Sequence, residues 1–259
     1  MQYEKSKKEI QKIMRSMSGK YRLYSIFRDF IVLSACTISN AVDKSQFESR
    51  EKMYLDTISI YTREEANKFA EMLALTILAY ESKMGDFMGE LYMSMEFGNR
   101  DAGQFFTPYH ASQLMASMIQ PEPNEKGFVE LNEPAAGSGG MIVAYAQAMK
   151  LAGMNYQRQL RVVCNDIDYD VVKMCYIQLS LLGIDAIVMQ GDTITQKFNE
   201  IWYTPMHFLN KVRKQQEERT KRMVNGMREI LKQEKKRPEK EAALAAIPGQ
   251  MTIFDYLEG

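Results

Sequence analysis

A glycine-rich turn at residues 131–141 is the first part of this sequence that can do chemistry. It runs Leu-Asn-Glu-Pro-Ala-Ala-Gly-Ser-Gly-Gly-Met, directly after a β-rich run and directly before a helical one. Glycines at such a junction let the backbone approach a ligand closely, and the start of the helix offers free amide groups. Tight strand-to-helix turns also use glycine for steric reasons alone, so the turn by itself leaves a purely structural role open.

Two widespread nucleotide-binding patterns do not fit this turn. The dinucleotide pattern Gly-x-Gly-x-x-Gly requires a third glycine where this chain has Ile142. The P-loop requires Gly-Lys-Ser or Gly-Lys-Thr, which the turn lacks. The turn therefore argues against an NAD-dependent enzyme, which is the least favoured function for this chain.

Acidic residues follow the next two β-rich runs. Asp166 comes after the run at 160–164, where an acid at the carboxyl end of a parallel strand accepts hydrogen bonds from ribose hydroxyls. Asp168 is suited to cap the following helix, so the two acids can divide these roles. Asp192, in Gly-Asp-Thr, follows the run at 186–189.

The surrounding pattern indicates which elements position these residues. Apolar residues recur at helical spacing over residues 1–100, and Thr62-Arg-Glu-Glu65 has the form of a capping box that starts a helix. Between about 103 and 205, β-rich runs alternate with helical ones, which predicts a parallel sheet with crossover helices. The predicted strands are 128–131, 160–164, 186–189 and, weakly, 199–203, and the predicted helices lie near 108–119, 139–151 and 168–182.

Amino-acid composition and helix-breaking residues divide the chain into four predicted regions. Residues 1–100 form a helical region, 101–208 an α/β domain, 209–247 a charged helix, and 248–259 a tail that follows Pro248-Gly249. The balance of 33 Lys plus Arg against 33 Asp plus Glu excludes a strongly basic protein, so contacts with nucleic acid require local patches.

Three cysteines without a Cys-x-x-Cys pair favour reduced thiols and a cytoplasmic location. The charged N-terminus and the short apolar run at 72–79 predict neither secretion nor a membrane span, which needs about 20 apolar residues. No spacing of His, Cys or acidic residues suggests a metal site.

These features together resemble the N-6 adenine DNA methyltransferases, and among them the modification subunit of type I restriction-modification systems. Residues 133–139 are similar to the family's motif Asp-Pro-Ala-Ala/Cys-Gly-Ser-Gly, with Glu133 in the first place. Gly103-Gln-Phe-Phe-Thr-Pro108 is similar to the family's Gly-Gln-Phe/Tyr-Thr-Pro segment, and 177–184 to its Asn-Leu-x-Leu-x-Gly-Ile run. The resemblance covers about residues 86–195, in matching order and spacing.

The resemblance implies an α/β, Rossmann-like methyltransferase fold that binds S-adenosylmethionine and transfers its methyl group to adenine N6 in DNA. In the family, the segment at 103–108 closes over the cofactor and holds its methionine end, the acid at Asp166 holds the ribose, and the acid at Asp192 binds the adenine amino group. The implied cofactor-binding residues are Phe106, Thr107, Pro108, Glu133, Pro134, Ala135, Gly137, Ser138, Gly139, Asp166, Ile167 and Asp192. A specificity subunit or another methyltransferase subunit is the implied protein partner.

One family motif is missing. Family enzymes place Asn/Asp-Pro-Pro-aromatic at the end of the fourth strand, where it orients the target amine and stacks on the flipped base. Residues 198–208 contain aromatic side chains and one proline, and Thr204 and Pro205 stand as a divergent catalytic pair. The chain after 208 also offers helix where three more strands belong, so the sheet is expected to be partial.

Two functions therefore remain open: an active methyltransferase, or a catalytically inactive accessory or regulatory relative that keeps the cofactor pocket. The basic stretch at 211–237 is either a solvated helix face or a surface for DNA phosphates.

The tail contains a second candidate partner site. Gln250-Met-Thr-Ile-Phe254 resembles the Gln-Leu-Ser/Asp-Leu-Phe peptide that docks on the replicative sliding clamp, with Gln250, Met251, Ile253 and Phe254 as the contact residues. The alternative is that these apolar residues fold back onto the protein.

Overall fold

The computed structural model describes residues 2–95 and 106–245, with side chains up to residue 229. The chain divides into two compact units, residues 1–210 and residues 211–259. The described parts of the predicted helical region and of the predicted α/β domain fall within the first of these units. The predicted segment at 103–105 and the predicted clamp peptide at 250–254 lie outside the described residues.

The N-terminal region is helical, as predicted. Its helices are α1 (Gln2–Met17), α2 (Leu23–Val42), α3 (Phe47–Ile58), α4 (Arg63–Ser82) and α5 (Phe87–Ser94), with a short 3-10 helix at Lys44–Gln46. The capping box of α4 is confirmed, since the Glu65 amide donates to Thr62 Oγ1 over 3.3 Å. The Thr62 amide in turn donates to the Glu65 carboxylate over 2.9 Å.

Among the described residues, the long apolar stretch lies in helix α2 rather than in the run at 72–79. Its 20 residues reach a mean hydropathy of 1.3, which matches a membrane span by length and composition, as the core helices of soluble proteins also do. More than half of that stretch is buried, at 56%. The helix packs against α3 and against the crossover helix α9 (Tyr169–Leu181). Buried Asp29 on α2 accepts a hydrogen bond of 2.7 Å from the Tyr61 hydroxyl.

The predicted sheet is present, with four strands in the order β1-β2-β3-β4. The strands are β1 (Val129–Glu133), β2 (Leu160–Asp166), β3 (Asp185–Asp192) and β4 (Lys197–Tyr203). The first three strands are parallel, as predicted. They are connected by α7 (Gly140–Leu151) with α8 (Tyr156–Gln159), and by α9, while α6 (Tyr109–Met118) precedes β1 and α10 (Pro205–Ala245) follows β4.

Only one face of this sheet is well covered. Right-handed crossovers place the helices that join β1 to β2 and β2 to β3 on the same face. On that face, Val162, Cys164 and Val188 are buried, and α9 packs against β2 and β3. On the opposite face, Val163 is 40% exposed and Ile201 is 37% exposed. The described chain therefore forms half of a doubly wound α/β fold, which agrees with the predicted partial sheet.

Strand β4 corrects the expectation for Thr204 and Pro205. It pairs antiparallel with β3, so Tyr203 lies beside Ile187 and the end of β4 reaches the amino edge of the parallel strands. Thr204 is fully buried there. Its hydroxyl donates to the Ile184 carbonyl over 2.7 Å and accepts from the Ala186 amide over 2.9 Å. These residues terminate β4 and start α10 at the edge opposite to the glycine-rich turn, where they cannot orient a substrate for a cofactor bound at that turn.

We expect Thr204→Val to lower the free energy of unfolding by about 1–3 kcal/mol, because the Ala186 amide loses its buried acceptor while side-chain volume is kept. Chemical denaturation followed by circular dichroism measures the change. Thr57→Val is the matched control, because the half-buried Thr57 hydroxyl donates only to the Met53 carbonyl of its own helix. Equal stability losses for the two variants would contradict the anchoring role of Thr204.

Candidate functional site

The candidate site lies where the three parallel strands end. Strands β1, β2 and β3 end in Glu133, Asp166 and Asp192, respectively, and because the strands are neighbours and parallel, these acids share one edge of the sheet. In open α/β sheets, ligands bind outside this carboxyl edge. The sequence placed all three acids correctly at the ends of strands.

The glycine-rich turn needs its glycines for conformation and for space. Gly137 has a φ of 56° and Gly139 a φ of 93°, in the left-handed region that side chains disfavour. A Cβ at Gly139 would lie 3.0 Å from the Cys175 Sγ, so this turn also packs tightly against α9. A Cβ at Gly137 would lie 3.2 Å from the Phe106 ring, on the side of the turn that lines a cavity.

Asp166 is joined to the turn and keeps capacity for a ligand. Its Oδ2 accepts from the Gly137 amide over 2.9 Å, and its Oδ1 accepts from the Asp168 amide over 3.0 Å. A carboxylate has about four acceptor sites, so about two remain for the hydroxyls of a ligand. Asp168 caps α9 by accepting from the amides of Asp170 and Val171, as predicted, while the ribose role of Asp166 stays a prediction.

Hydrogen bonds tie the loops at this edge to one another. Buried Asn165 donates from Nδ2 to the Thr193 hydroxyl over 2.6 Å, and that hydroxyl donates to the Pro134 carbonyl over 2.7 Å. The Ala136 amide donates to the Asn165 carbonyl over 2.9 Å. The ends of β1, β2 and β3 therefore form a preorganised edge. The sequence assigned no role to Asn165 or Thr193, because these bonds connect residues far apart in the chain.

Asp192 holds its own turn. Its carboxylate accepts from the Ile194 amide over 2.8 Å and from the Thr195 hydroxyl over 3.0 Å. The hydrogen bond from the Ile194 amide has the largest effect on the pKa of Asp192 and lowers it. The hydrogen bond from the Thr195 hydroxyl lowers this pKa further, so the carboxylate is ionised at neutral pH. Ile167, at 69% exposure, adds apolar surface directly after Asp166.

A cavity of about 220 Å³ lies beside the turn. The predicted site residues that line it are Phe106, Thr107, Glu133, Ala135, Gly137 and Ser138. A second cavity of about 470 Å³ shares Phe106 and Thr107 and adds Pro108. Pockets for whole small molecules usually measure about 300–1,000 Å³, so the first cavity is suited to one end of a cofactor-sized ligand.

The remaining predicted residues lie around the cavity rather than in it. Asp166, Ile167 and Asp192 are not among its lining residues, and Pro134 contributes its carbonyl to the tied loops. Within residues 2–95 and 106–229, no three His, Cys, Asp or Glu side chains lie close enough to hold a metal ion.

Asp86 is a site residue that the sequence analysis missed. It caps α5, with Oδ1 accepting from the Gly89 amide over 3.0 Å and from Gln178 Nε2 over 3.1 Å. Its Oδ2 accepts from the Ser138 hydroxyl over 3.0 Å, and the side chain lines both cavities. Burial raises the pKa of Asp86. The sequence shows only an acid before an apolar helix, a helix-cap signal without any sign of the distant turn.

The fold and the site now permit comparison with known proteins. The family described as N-6 DNA Methylase matches residues 82–235, which is more than half of the chain and includes the turn, all three acids and Asp86. The chain belongs to the N-6 DNA methylase family. Its α/β sheet is accordingly the Rossmann-like sheet of S-adenosylmethionine-dependent methyltransferases, as expected from the resemblance. No curated protein matches the sequence.

Two solved structures are similar to this family member at low identity. One is a putative class I S-adenosylmethionine-dependent methyltransferase from Listeria monocytogenes, at 16% identity and a TM-score of 0.35, covering 65% of this chain and 54% of that chain. The other is a type I restriction-modification methyltransferase subunit from Streptococcus thermophilus, at 12% identity and a TM-score of 0.41, covering 76% of this chain and 59% of that chain. The match thus spans little more than half the length of either protein.

We expect Gly139→Ala to destabilise the protein more than Gly153→Ala. Both glycines have a positive φ, of 93° and 78°, which costs an alanine about 1–2 kcal/mol. Only at Gly139 does the new Cβ also meet a buried neighbour, because nothing lies within 4 Å of a Cβ at Gly153. Thermal unfolding of both variants measures the difference, and equal melting temperatures would contradict the close packing of the turn on α9.

Proposed function

We propose that this chain binds S-adenosylmethionine at the carboxyl edge of its sheet and serves methyl transfer to adenine N6 in DNA. The observation that carries the proposal is the position of Asp166 at the end of β2. Its carboxylate accepts a hydrogen bond from the Gly137 amide and can accept further hydrogen bonds from a ligand. An acid in this position accepts hydrogen bonds from both hydroxyls of a ribose. Membership in the N-6 DNA methylase family supports the same ligand and the same reaction.

The residues present fit this cofactor in two parts. The nucleoside part requires an acid for the ribose and apolar surface for the adenine, which Asp166 and exposed Ile167 offer. Asp192 is ionised and suited to accept from the adenine amino group. The amino-acid part requires a small polar cavity, and the space lined by Phe106, Thr107 and Glu133 has that size.

When bound, S-adenosylmethionine supplies an electrophilic methyl group on a sulfonium. The residues at Asp166 and Asp192 would hold its nucleoside end, and those around Phe106, Thr107 and Glu133 would hold its amino-acid end. The turn provides close backbone approach without side chains, and the tied loops at Pro134, Asn165 and Thr193 keep this edge rigid. Such preorganisation is what a methyl donor needs before a nucleophile approaches.

The described carboxyl edge lacks the group that orients the accepting amine in an active enzyme of this family. Methyl transfer to N6 needs acceptors that direct the amine lone pair toward the methyl group. Along the described carboxyl edge no Asn or Asp precedes a proline, and Thr204-Pro205 lies at the opposite edge. This observation favours a second candidate function, a non-catalytic relative that keeps the pocket and acts in DNA processing or restriction.

DNA and a further methyltransferase or specificity subunit are the proposed partners. Between residues 211 and 229 of α10, seven Lys or Arg side chains stand against three Glu, and nearly all of them are exposed. This excess of positive charge is suited to DNA phosphates. The cytoplasmic location and the clamp peptide at 250–254 remain predictions.

We expect the isolated protein to bind S-adenosylmethionine, and Asp166→Ala to weaken binding by about 1–3 kcal/mol, roughly 5- to 150-fold, because buried ribose hydroxyls lose their acceptors. Isothermal titration calorimetry measures both. Asp168→Asn is the matched control, because asparagine also caps helices and Asp166 stays in place. A folded wild-type protein that gives no binding heat contradicts the proposed function.

We also expect the purified chain alone to transfer little or no methyl label to DNA, because its described carboxyl edge lacks the amine-orienting residue. Incubation of labelled cofactor with mixed-sequence DNA, followed by scintillation counting of the DNA, measures the transfer. Asp166→Ala serves as the background. Strong transfer by the wild type, lost in Asp166→Ala, would show that another group of this chain orients the base.

A further inference from the structure

The cavity beside the turn contains a buried hydroxyl without a hydrogen-bond partner. Ser112 on α6 is fully buried and lines the cavity, and among the described residues its Oγ has no partner. Buried polar atoms in native proteins are almost always hydrogen-bonded. An unpaired hydroxyl at a cavity wall therefore indicates a polar ligand atom that completes its bonding.

The Asp86 carboxylate lies in the same cavity and has one acceptor site left. Among the described residues, three hydrogen bonds reach it, from the Gly89 amide and Gln178 to Oδ1 and from Ser138 to Oδ2. Because a carboxylate offers about four such sites, Oδ2 can accept once more. Glycine at position 140 keeps that oxygen accessible, since a Cβ there would lie 2.8 Å from Oδ2.

The acidic lining of the cavity favours a positively charged ligand group. Its described lining includes two acids, Asp86 and Glu133, and no Lys, Arg or His. Burying an acid without a cation is unfavourable, and the raised pKa of Asp86 reflects this cost. A small cationic hydrogen-bond donor bound beside Asp86 would offset the cost of burying its carboxylate.

We propose that Ser112 and Asp86 form the subsite that binds the ammonium group at the amino-acid end of the cofactor. The inference rests on the proposed function, which places the nucleoside at Asp166. The turn connects the two ends, because the Gly137 amide is bonded to Asp166 while the neighbouring Ser138 hydroxyl is bonded to Asp86. One ligand with a nucleoside and an ammonium group thus contacts both sides of the turn.

Two thioether ligands distinguish binding at the amino-acid end of the site from binding at the nucleoside end. S-adenosylhomocysteine has the amino-acid end, and 5′-methylthioadenosine has the same nucleoside without it. We expect Ser112→Ala to weaken binding of S-adenosylhomocysteine about three- to tenfold and Asp86→Asn at least about tenfold, through loss of a neutral and a charge-assisted hydrogen bond, respectively. Binding of 5′-methylthioadenosine to both variants stays within about twofold of the wild type.

Ser180→Ala provides the matched control. The Ser180 hydroxyl on α9 is also buried, and within the described part of the chain no atom meets hydrogen-bond geometry with it, but Ser180 does not line the cavity. Calorimetry on the full chain, with melting temperatures for each variant, gives the required constants, and Ser180→Ala should bind both ligands like the wild type.

Each remaining outcome overturns the subsite. Equal weakening of both ligands assigns Ser112 and Asp86 a purely structural role, while wild-type affinities in both variants show that neither side chain reaches the ligand. Both of these outcomes leave the proposed function intact. A folded wild-type protein that binds neither ligand removes the proposed function together with the subsite.

Discussion

The hydrogen bond between the Gly137 amide and the Asp166 carboxylate is the interaction on which the site depends. It fixes the glycine-rich turn after β1 against the end of β2, and thereby sets the position of the backbone relative to the acid that is proposed to hold the ribose. Gly137 has a left-handed φ of 56° in this turn, a conformation that favours glycine. The parallel arrangement of β1 and β2 provides the geometry, because it brings both strand ends to one edge.

The helical N-terminal region is part of this site. Buried Gln178 on α9 accepts from the Tyr80 hydroxyl over 2.6 Å, and donates to both the Asp86 carboxylate and the Ser138 carbonyl. One fully satisfied side chain thus joins α4, the start of α5 and the glycine-rich turn. A buried polar network in which every bond is made holds its members in a single arrangement. The same network holds the one carboxylate that lines both cavities.

Local signals in the sequence predicted much of this structure. The capping box at Thr62, the three parallel strands and the acids at their ends all follow from patterns of a few residues. The antiparallel course of β4 did not, because strand direction depends on the connection at 193–196 and not on the composition of the strand. Asp86 and Ser112 were missed for a related reason, since their contacts span long stretches of sequence or face a cavity that no local pattern reveals.

The proposed function requires that the cofactor binds at the carboxyl edge and not elsewhere on the sheet. Hydrogen–deuterium exchange with and without S-adenosylmethionine tests it most directly. We expect slower exchange at residues 134–140 and 165–168 when the cofactor is present, with unchanged exchange at the amino edge around Thr204. Unchanged exchange at the turn, or protection centred on Thr204, would contradict it.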